Sequence, residues 1–588
     1  MGESAGFVFN YELVMSDSEW ILLECDESQV AELAAEAGLP RVVARLLVNR
    51  GITTARKAQC FFDPSLEHLH DPFLLPDMDV AVNRLVRAIR SGEKICIHGD
   101  YDVDGVTSTA LLVRTLKALN ANVTYHLPHR QRDGYGLKPQ TVVELARQGT
   151  RLIVTCDCGV TALDAVAAAN EKGVDVIVTD HHEPGLDLPE AIAVVNPKRE
   201  DAAYPFPELA GVGVAFKLGQ GLVRASGVDE ELFITRFTDL AALGTVSDVV
   251  PLLGENRSIV KHGLDVLPET KKVGLRKMIS CAGLAGKRLT AQCLAFILGP
   301  RLNAAGRMDD AASALRLLLT KNEDEAAFLI REIEVRNNER RAEQERVFSE
   351  ALPQAERKAG AGRLVLVISG VGWNRGVIGI VAGKICELFN RPVVVISRDE
   401  RRGIGSGSAR SIPEFNLVES LESCAELLDR FGGHALAVGL TIELSRLDEF
   451  EDRINAVASE KLVAAKLVPR VEIEAEVSPA ELTVELAEVV SAMQPFGHSN
   501  PEPLFLTTGL KVAEIRRVGD GSHLKLQVCG RGSSVLSCIG FGFGDTAAQL
   551  TIGDLVDLCY SIRVDDYWGN EAVQLVLKGI RPSRRTAV

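Results

Sequence analysis

The sequence predicts a multidomain α/β protein: a parallel-sheet domain, a long connecting helix, a smaller α/β domain and a C-terminal β-barrel of OB-fold type. Three observations carry this. Short apolar strands alternate with helical stretches in two separate regions, a run of helix formers divides those regions, and the last part of the chain changes to short strands separated by Gly and Asp turns. At 588 residues the chain exceeds the size at which one hydrophobic core keeps growing, so several packed units are expected.

Residues 1–80 are read as a lead-in layer of short amphipathic helices. Residues 81–320 hold the first α/β domain, opened by a helix with Val82, Leu85, Val86 and Ile89 on one face. Strands follow at Lys94–Ile97, Asn122–His126, Leu152–Cys156 and Val174–Thr179, with helices at Ser108–Leu119, Thr141–Arg147 and Ala162–Asn170 between them. Strands alternating with helices of this length indicate βαβ units and a buried parallel sheet. Residues 321–355 form the connecting helix, whose interspersed acids and bases suggest a solvated connector that Pro353 ends.

Residues 356–466 repeat the alternation on a smaller scale: strand Arg363–Ser369, a Gly-rich turn, helix Ile378–Phe389, strand Pro392–Ser397 and a Gly-rich stretch from Gly403 to Gly407. From 467 to 588 the segments VEIEAEV, LFLTTG, HLKLQV, VLSCIGF, DLVDLCYSI and EAVQLVLKG suit a small barrel.

An apolar share of 46% with 25% charged residues is that of ordinary globular protein. There is no apolar run of about 18 residues, and the N-terminal text lacks a secretory pattern, so a cytoplasmic protein without membrane association is expected. The 12 cysteines are scattered without a CxxC pair, which predicts buried thiols and neither disulfides nor a zinc site. A net charge of −15 argues against a protein that coats nucleic acid indiscriminately, yet leaves nucleic acid open as a substrate held by a few local arginines.

The strongest chemical signal is His98-Gly99-Asp100-Tyr101-Asp102-Val103-Asp104-Gly105, directly after an apolar strand. The carboxyl end of a parallel strand is where open α/β sheets bind ligands. If the tip is extended, alternate residues point the same way, so Asp100, Asp102 and Asp104 would face one cavity, where they repel one another unless cations lie between them. A plain Asp/Gly loop is the competing reading. A calcium loop does not fit, because the text runs on into an apolar helix.

Two further strands end in the same way, one at Asp157 and one at Asp180-His181-His182. Asp248, after an apolar helical segment, is a fourth candidate, with a helix cap or loop acid as the alternative. Cys156 and Cys158 flank Asp157 and read as buried core. Oxygen and imidazole donors without thiolates suit two Mn²⁺ or Mg²⁺ ions, and one shared carboxylate would hold the pair about 4 Å apart around an in-line displacement at phosphorus.

In order and spacing, HGDYDVDG, CDCG, TDHH and GTVSDVV resemble the motifs of the DHH phosphoesterase family. That resemblance implies a DHH catalytic domain with Asp102, Asp104, Asp157, His181 and Asp248 as metal ligands. It also implies Asp100 and His98 completing or supporting the first site and His182 beside the attacking water or scissile phosphate. The later segments GPRLNAAGRM, GVIGIVA, GSGSARS, FGGHALAVGL and PFGHSNPEP, with LLVNRGI and FFDP near the start, resemble the RecJ branch of single-strand DNA exonucleases. The smaller α/β domain is then a DHH-associated domain closing over the cleft.

Arg301, Arg307 and Arg410 can fork onto phosphate oxygens, with ion pairing as the alternative for each. Ser408 can add a hydroxyl, and Asn303 lies in the same Arg-bearing segment. Gly433 and His434 are either substrate contacts or a tight turn with a buried His. Arg130 and Tyr135 can hold a 5′ phosphate and stack a base, or simply belong to a surface turn.

The resemblance implies 5′-to-3′ hydrolysis of single-stranded DNA to mononucleotides in repair and recombination. The implied partners are single-stranded DNA, a single-strand-binding protein and a repair helicase, and a monomer is expected. The rival readings are a DHH phosphodiesterase acting on short oligonucleotides or other small phosphoesters, and a non-catalytic replication scaffold. One departure from the family is Asn374, where relatives tend to have His; Asn cannot titrate near neutrality and is left out of the catalytic set.

Overall fold

The computed structural model describes residues 18–130, 132–308, 310–462, 467–530, 535–565 and 571–583, so the first seventeen residues of the expected lead-in layer lie outside it. The chain forms two compact units. One comprises the described residues of 59–340 with 493–501, and the other the described residues of 1–58, 341–492 and 502–588.

In the first unit, α1 (Met78–Arg90) leads into β1 (Ile95–Gly99), α2 (Val103–Ala118), β2 (Val123–His126), α3 (Pro139–Arg147), β3 (Leu152–Cys156), α4 (Leu163–Glu171), β4 (Asp175–Thr179) and β5 (Ala193–Val195). The five strands form one sheet in the order β2-β1-β3-β4-β5, and every pairing is parallel. Alternate strand residues build the two covered faces that near-continuous apolar strands demand. Ile95, Ile97, Leu152, Val154 and Ile177 share one core with Leu85 of α1, Leu112 of α2 and two further helices, α5 (Gly211–Ala225) and α6 (Glu230–Ser247). Cys96, Ile153, Val176 and Val178 share the other with Val142 and Leu145 of α3 and Val166 and Ala169 of α4.

The acidic tip is not extended throughout, as the alternation argument assumed. Asp102 is the N-cap of α2, its carboxylate accepting the Gly105 amide at 3.0 Å, and Asp104 already lies in the first helical turn. A side chain at 105 would bring its Cβ within 2.5 Å of the Asp100 amide nitrogen, so glycine is what lets the helix start this close to the strand end.

After α7 (Gly299–Met308), α8 (Glu323–Gly360) runs well past the predicted terminator and carries Pro353 inside it. The helix is also not a solvated rod. Ala326, Leu329, Ile330 and Ile333 are buried in the core of the first unit, and Val347, Ala351 and Ala355 in that of the second. Burial of Ala351 and Ala355 on either side of Pro353, and two hydrogen bonds between the Gln354 side chain and the Ser369 backbone, outweigh the lost backbone bond.

The second unit contains β6 (Leu366–Val371), α9 (Ile378–Phe389), β7 (Val393–Asp399), β8 (Ile404–Arg410), β9 (Arg430–His434) and β10 (Ala437–Glu443) in one sheet of strand order β9-β10-β8-β7-β6. Only β6 and β7 are parallel. The Gly-rich stretch from Gly403 to Gly407, to which the sequence assigned no element, is mostly strand β8, because its small residues pair with β7 and β10 on both sides.

Five later strands, β11 (Phe505–Val518), β12 (His523–Cys529), β13 (Val535–Gly540), β14 (Leu555–Asp565) and β15 (Ala572–Pro582), close a barrel in the order β11-β12-β13-β15-β14, sealed by β11 pairing with β14. The single parallel pair, β13 with β15, is part of the OB-type strand order. The N-terminal strand Glu19–Leu22 pairs with Arg470–Ile473, and Arg50 makes a buried ion pair with Glu474, so the start of the described chain folds with its C-terminal part.

Candidate metal centre

The order of the parallel sheet reverses between β1 and β3, and the crevice at the carboxyl ends beside such a switch point is where doubly wound sheets bind ligands. β1 runs out into Asp100, β3 into Asp157 and β4 into Asp180, His181 and His182. Asp248 comes from outside the sheet, as the residue that ends α6.

These side chains form three overlapping groups in which the donor atoms lie within 4.8 Å of one another: Asp157, His181 and His182; Asp104, His181 and Asp248; and Asp100, Asp102 and Asp157. His181 Nε2 is 3.1 Å from Asp157 Oδ1, 3.5 Å from Asp248 Oδ2 and 3.9 Å from Asp104 Oδ2. Asp157 belongs to two of the groups. Its backbone sits at φ 60°, a left-handed conformation that costs a non-glycine residue energy and marks a constrained site.

Burial is the main influence on the charges and mutual repulsion the second. Together they push Asp104 up to about 7, and Asp100, Asp157 and Asp248 well above the ordinary carboxylate range. Burial pushes His181 down to about 3. For His182 burial acts downward too, but the hydrogen bond and charge of Asp180 prevail and raise it.

Asp180 was absent from the candidate set, although it opens the quoted triplet. It is buried, accepts the amides of Val160, His181 and His182 at 2.9, 2.8 and 3.2 Å, and lies 2.7 Å from His182 Nδ1. Burial opposes its ionisation, yet these contacts hold it below the usual range. Asn196, also buried, donates to the His182 carbonyl at 2.9 Å. The amides of Gly211 and Val212 donate to the two oxygens of Asp104, both at 2.7 Å. Nothing local in the sequence signals Asn196 or Gly211, because their partners are distant along the chain.

Comparison with known proteins gives a consistent picture. Residues 94–245 match the DHH family, N-terminal domain; 362–460 match the DHHA1 domain; and 473–579 match the RecJ OB domain. The single-stranded-DNA-specific exonuclease RecJ of Bacillus subtilis is 37% identical over 96% of this chain and 71% of its own length. The chain belongs to the RecJ family. RecJ from Thermus thermophilus in complex with Mn²⁺ superposes with a TM-score of 0.82 at 32% identity, over 97% of this chain and 80% of that one. Its Mg²⁺ complex gives 0.77 at 30% identity, over 97% and 79%.

Around this RecJ-family centre the other candidates divide. Tyr135 donates its hydroxyl to the Asp157 carbonyl at 3.1 Å and lies 3.3 Å from His182 Nδ1. Arg130 stacks 5.0 Å over the Tyr101 ring, and Asn303 accepts the Val103 amide at 3.2 Å. Arg307 is close enough to act electrostatically on Tyr101. Arg301 is committed elsewhere, its guanidinium 2.7 Å from Glu334 and 2.7 Å from the Ile297 carbonyl, so the ion-pair alternative is realised there. His98 is buried, stacks on His126 with the two Nδ1 atoms 3.0 Å apart, and joins none of the three donor groups.

The remaining candidates belong to the second unit. Ser408 and Arg410 lie side by side on β8, the guanidinium donating to the hydroxyl at 3.2 Å. Gly433, at φ 149°, sits where a Cβ would meet the Ala437 carbonyl oxygen at 2.3 Å. His434 is exposed on edge strand β9, which overturns the buried-histidine alternative. Asn374 accepts the Gly376 amide at 2.7 Å and so shapes the turn before α9.

Proposed function

We infer that this chain is a divalent-metal-dependent exonuclease specific for single-stranded DNA, removing 5′ mononucleotides from the 5′ end in DNA repair and recombination. The observation that carries the reading is the convergence of carboxylates from β1, α2, β3 and α6 with imidazoles from β4 at one switch point of a parallel sheet. The named activity of the Bacillus relative supports the choice of substrate.

The donor set fits Mn²⁺ or Mg²⁺. Asp157 Oδ1 and His181 Nε2 face each other without hydrogen-bond geometry, and these two atoms and Asp100 Oδ1 are buried with no hydrogen-bond partner among the described residues. Bringing acids together in this way is costly unless cations compensate them. Asp102, Asp104, Asp157, His181 and Asp248 would hold two ions, Asp157 being shared, with Asp100 and His98 in support. When bound, the ions supply Lewis-acid polarisation of the phosphoryl group and acidify the attacking water.

Because Asp180 occupies Nδ1 of His182, the other nitrogen is the one available to the reacting phosphate. Asp180 also raises the pKa of that ring, which favours a role for it as a proton donor toward oxygen. Arg130 and Tyr135 hold the 5′ end and its base. Asn303, Arg307, Ser408, Arg410, Gly433 and His434 contact the sugar–phosphate backbone, and Arg301 joins them only by leaving Glu334. A single-strand-binding protein and a repair helicase are the proposed partners, and a cytoplasmic monomer the proposed state. Among the described residues no helix is long and apolar enough to cross a membrane.

Digestion of end-labelled single-stranded and duplex DNA with each ion tests the reading. The 5′ label of the single strand should be released first, as mononucleotide. Early release of a 3′ label would reverse the polarity, and faster turnover of a dinucleotide than of a long strand would favour a small-substrate enzyme.

A further inference from the structure

We propose that Gly211 is a positioning residue of the metal centre, required because its missing side chain lets the N-terminus of α5 clamp Asp104 against Asp157. The proposal rests on the metal reading above and adds to it a residue that contacts no substrate.

α5 begins at Gly211 with no side-chain cap, so its first amides need an acceptor from elsewhere. Asp104 supplies it from the first turn of α2, with Oδ2 taking the Gly211 amide and Oδ1 the Val212 amide, both at 2.7 Å. One donor on each oxygen fixes the plane of the carboxylate, and the positive end of the helix favours its charged form. Such an approach leaves no room for a methyl group. A Cβ at 211 would lie 2.7 Å from Asp157 Cβ, 2.8 Å from Asp157 Oδ1 and 2.9 Å from Asp104 Oδ2. All three atoms belong to proposed ligands. Asp157 Cβ, moreover, is the root of its side chain rather than a flexible end.

Gly211 is not at positive φ, and alanine is the stronger helix former. The helix backbone itself thus tolerates alanine at 211, and the obstacle to a methyl group is its clash with the two carboxylates, so metal affinity rather than the fold is what the substitution should chiefly change. Gly213 on the same helix is the matched control, since the three atoms nearest its Cβ would all belong to the Leu209 side chain, the first at 3.1 Å.

The test compares full-length wild type, Gly211→Ala and Gly213→Ala by Mn²⁺ titration read by electron paramagnetic resonance, with thermal melts in EDTA and in Mn²⁺. Gly211→Ala should stay folded in EDTA with a melting temperature lowered by a few degrees, as overpacking of a buried site does, bind Mn²⁺ about 10- to 100-fold more weakly, and lose the rise in melting temperature that Mn²⁺ gives the wild type. Gly213→Ala should keep both properties. Unchanged Mn²⁺ affinity in Gly211→Ala, or collapse of its fold in EDTA, overturns the assignment. A wild type that takes up no Mn²⁺ overturns the metal reading itself, an outcome visible before any variant is made.

Discussion

In the first unit all five strands of the α/β sheet run parallel, so β1, β3 and β4 deliver their following residues to one edge; in the five-stranded α/β sheet of the second unit only β6 and β7 are parallel, and the chain turns back across the sheet. The parallel edge gathers acids and imidazoles into a buried cluster whose members repel one another. The antiparallel strands alternate instead, burying Ala409, Val438, Leu440 and Ile442 on one side and leaving Ser408, Arg410 and Gly439 on the other, with His434 exposed at the edge. One arrangement concentrates negative charge that a cation would relieve, and the other presents donors and small residues that suit an anionic chain. Strand direction, more than composition, decides which chemistry each region offers.

The largest test of that contrast is Asp157→Ala. Removing the carboxylate common to two donor groups should cost about 4 kcal/mol of transition-state stabilisation, roughly 10³-fold in kcat, with single-strand binding retained. A variant that still cleaves at the wild-type rate would show that the acid edge is not the catalytic one.

Arg410→Ala should act in the other sense. It should raise KM for single-stranded DNA about tenfold and lower the slope of log affinity against log salt by about 1, while leaving Mn²⁺ uptake unchanged. A loss confined to kcat would break the division of labour.

Metal-free protein should lose stability as pH rises from about 6.5 to 8, by on the order of 1 kcal/mol. Asp104 is held at about 7, and Asp100, Asp157 and Asp248 are raised by burial, so the folded state binds protons that the unfolded state has already released. Stability from such groups is complete below the unfolded carboxylate range and declines through the folded values. His98 and His181, depressed by burial to about 3, act oppositely only below about 6.5. Melting curves at several pH values should show the decline in EDTA and its removal by Mn²⁺; a flat profile in EDTA would contradict the buried cluster.

The smallest effect belongs to Asn374→His. The side chain closes a turn through Gly376, so its replacement should cost about 1 kcal/mol or less of stability and leave the pH profile of kcat unchanged. A new titration in that profile would make the position catalytic after all.

The acids and imidazoles proposed as metal ligands or their supports were legible because they are local: Asp100, Asp102 and Asp104 follow one strand, and Asp157, His181 and His182 follow two others. The strand-helix alternation and the barrel strands were legible from period and turn residues. The helical start at Val103 was not, since an Asp-rich tip reads equally as turn or cap, and neither was the passage of α8 through Pro353, which depends on burial of Ala351 and Ala355. The ion pair of Arg301 could not be assigned to a partner from the sequence, because Glu334 stands 33 residues away.

By itself, then, the sequence determined the kinds of element, their order and the donors that each strand end carries, because these follow from residues close together in the chain. Only the tertiary structure decided that β1 and β3 lie side by side at the switch point, that Asp248 and His181 meet, and that Gly211 closes over Asp104. Those contacts join segments far apart in sequence, and they are selected by how apolar faces pack rather than by any local preference of the residues that touch.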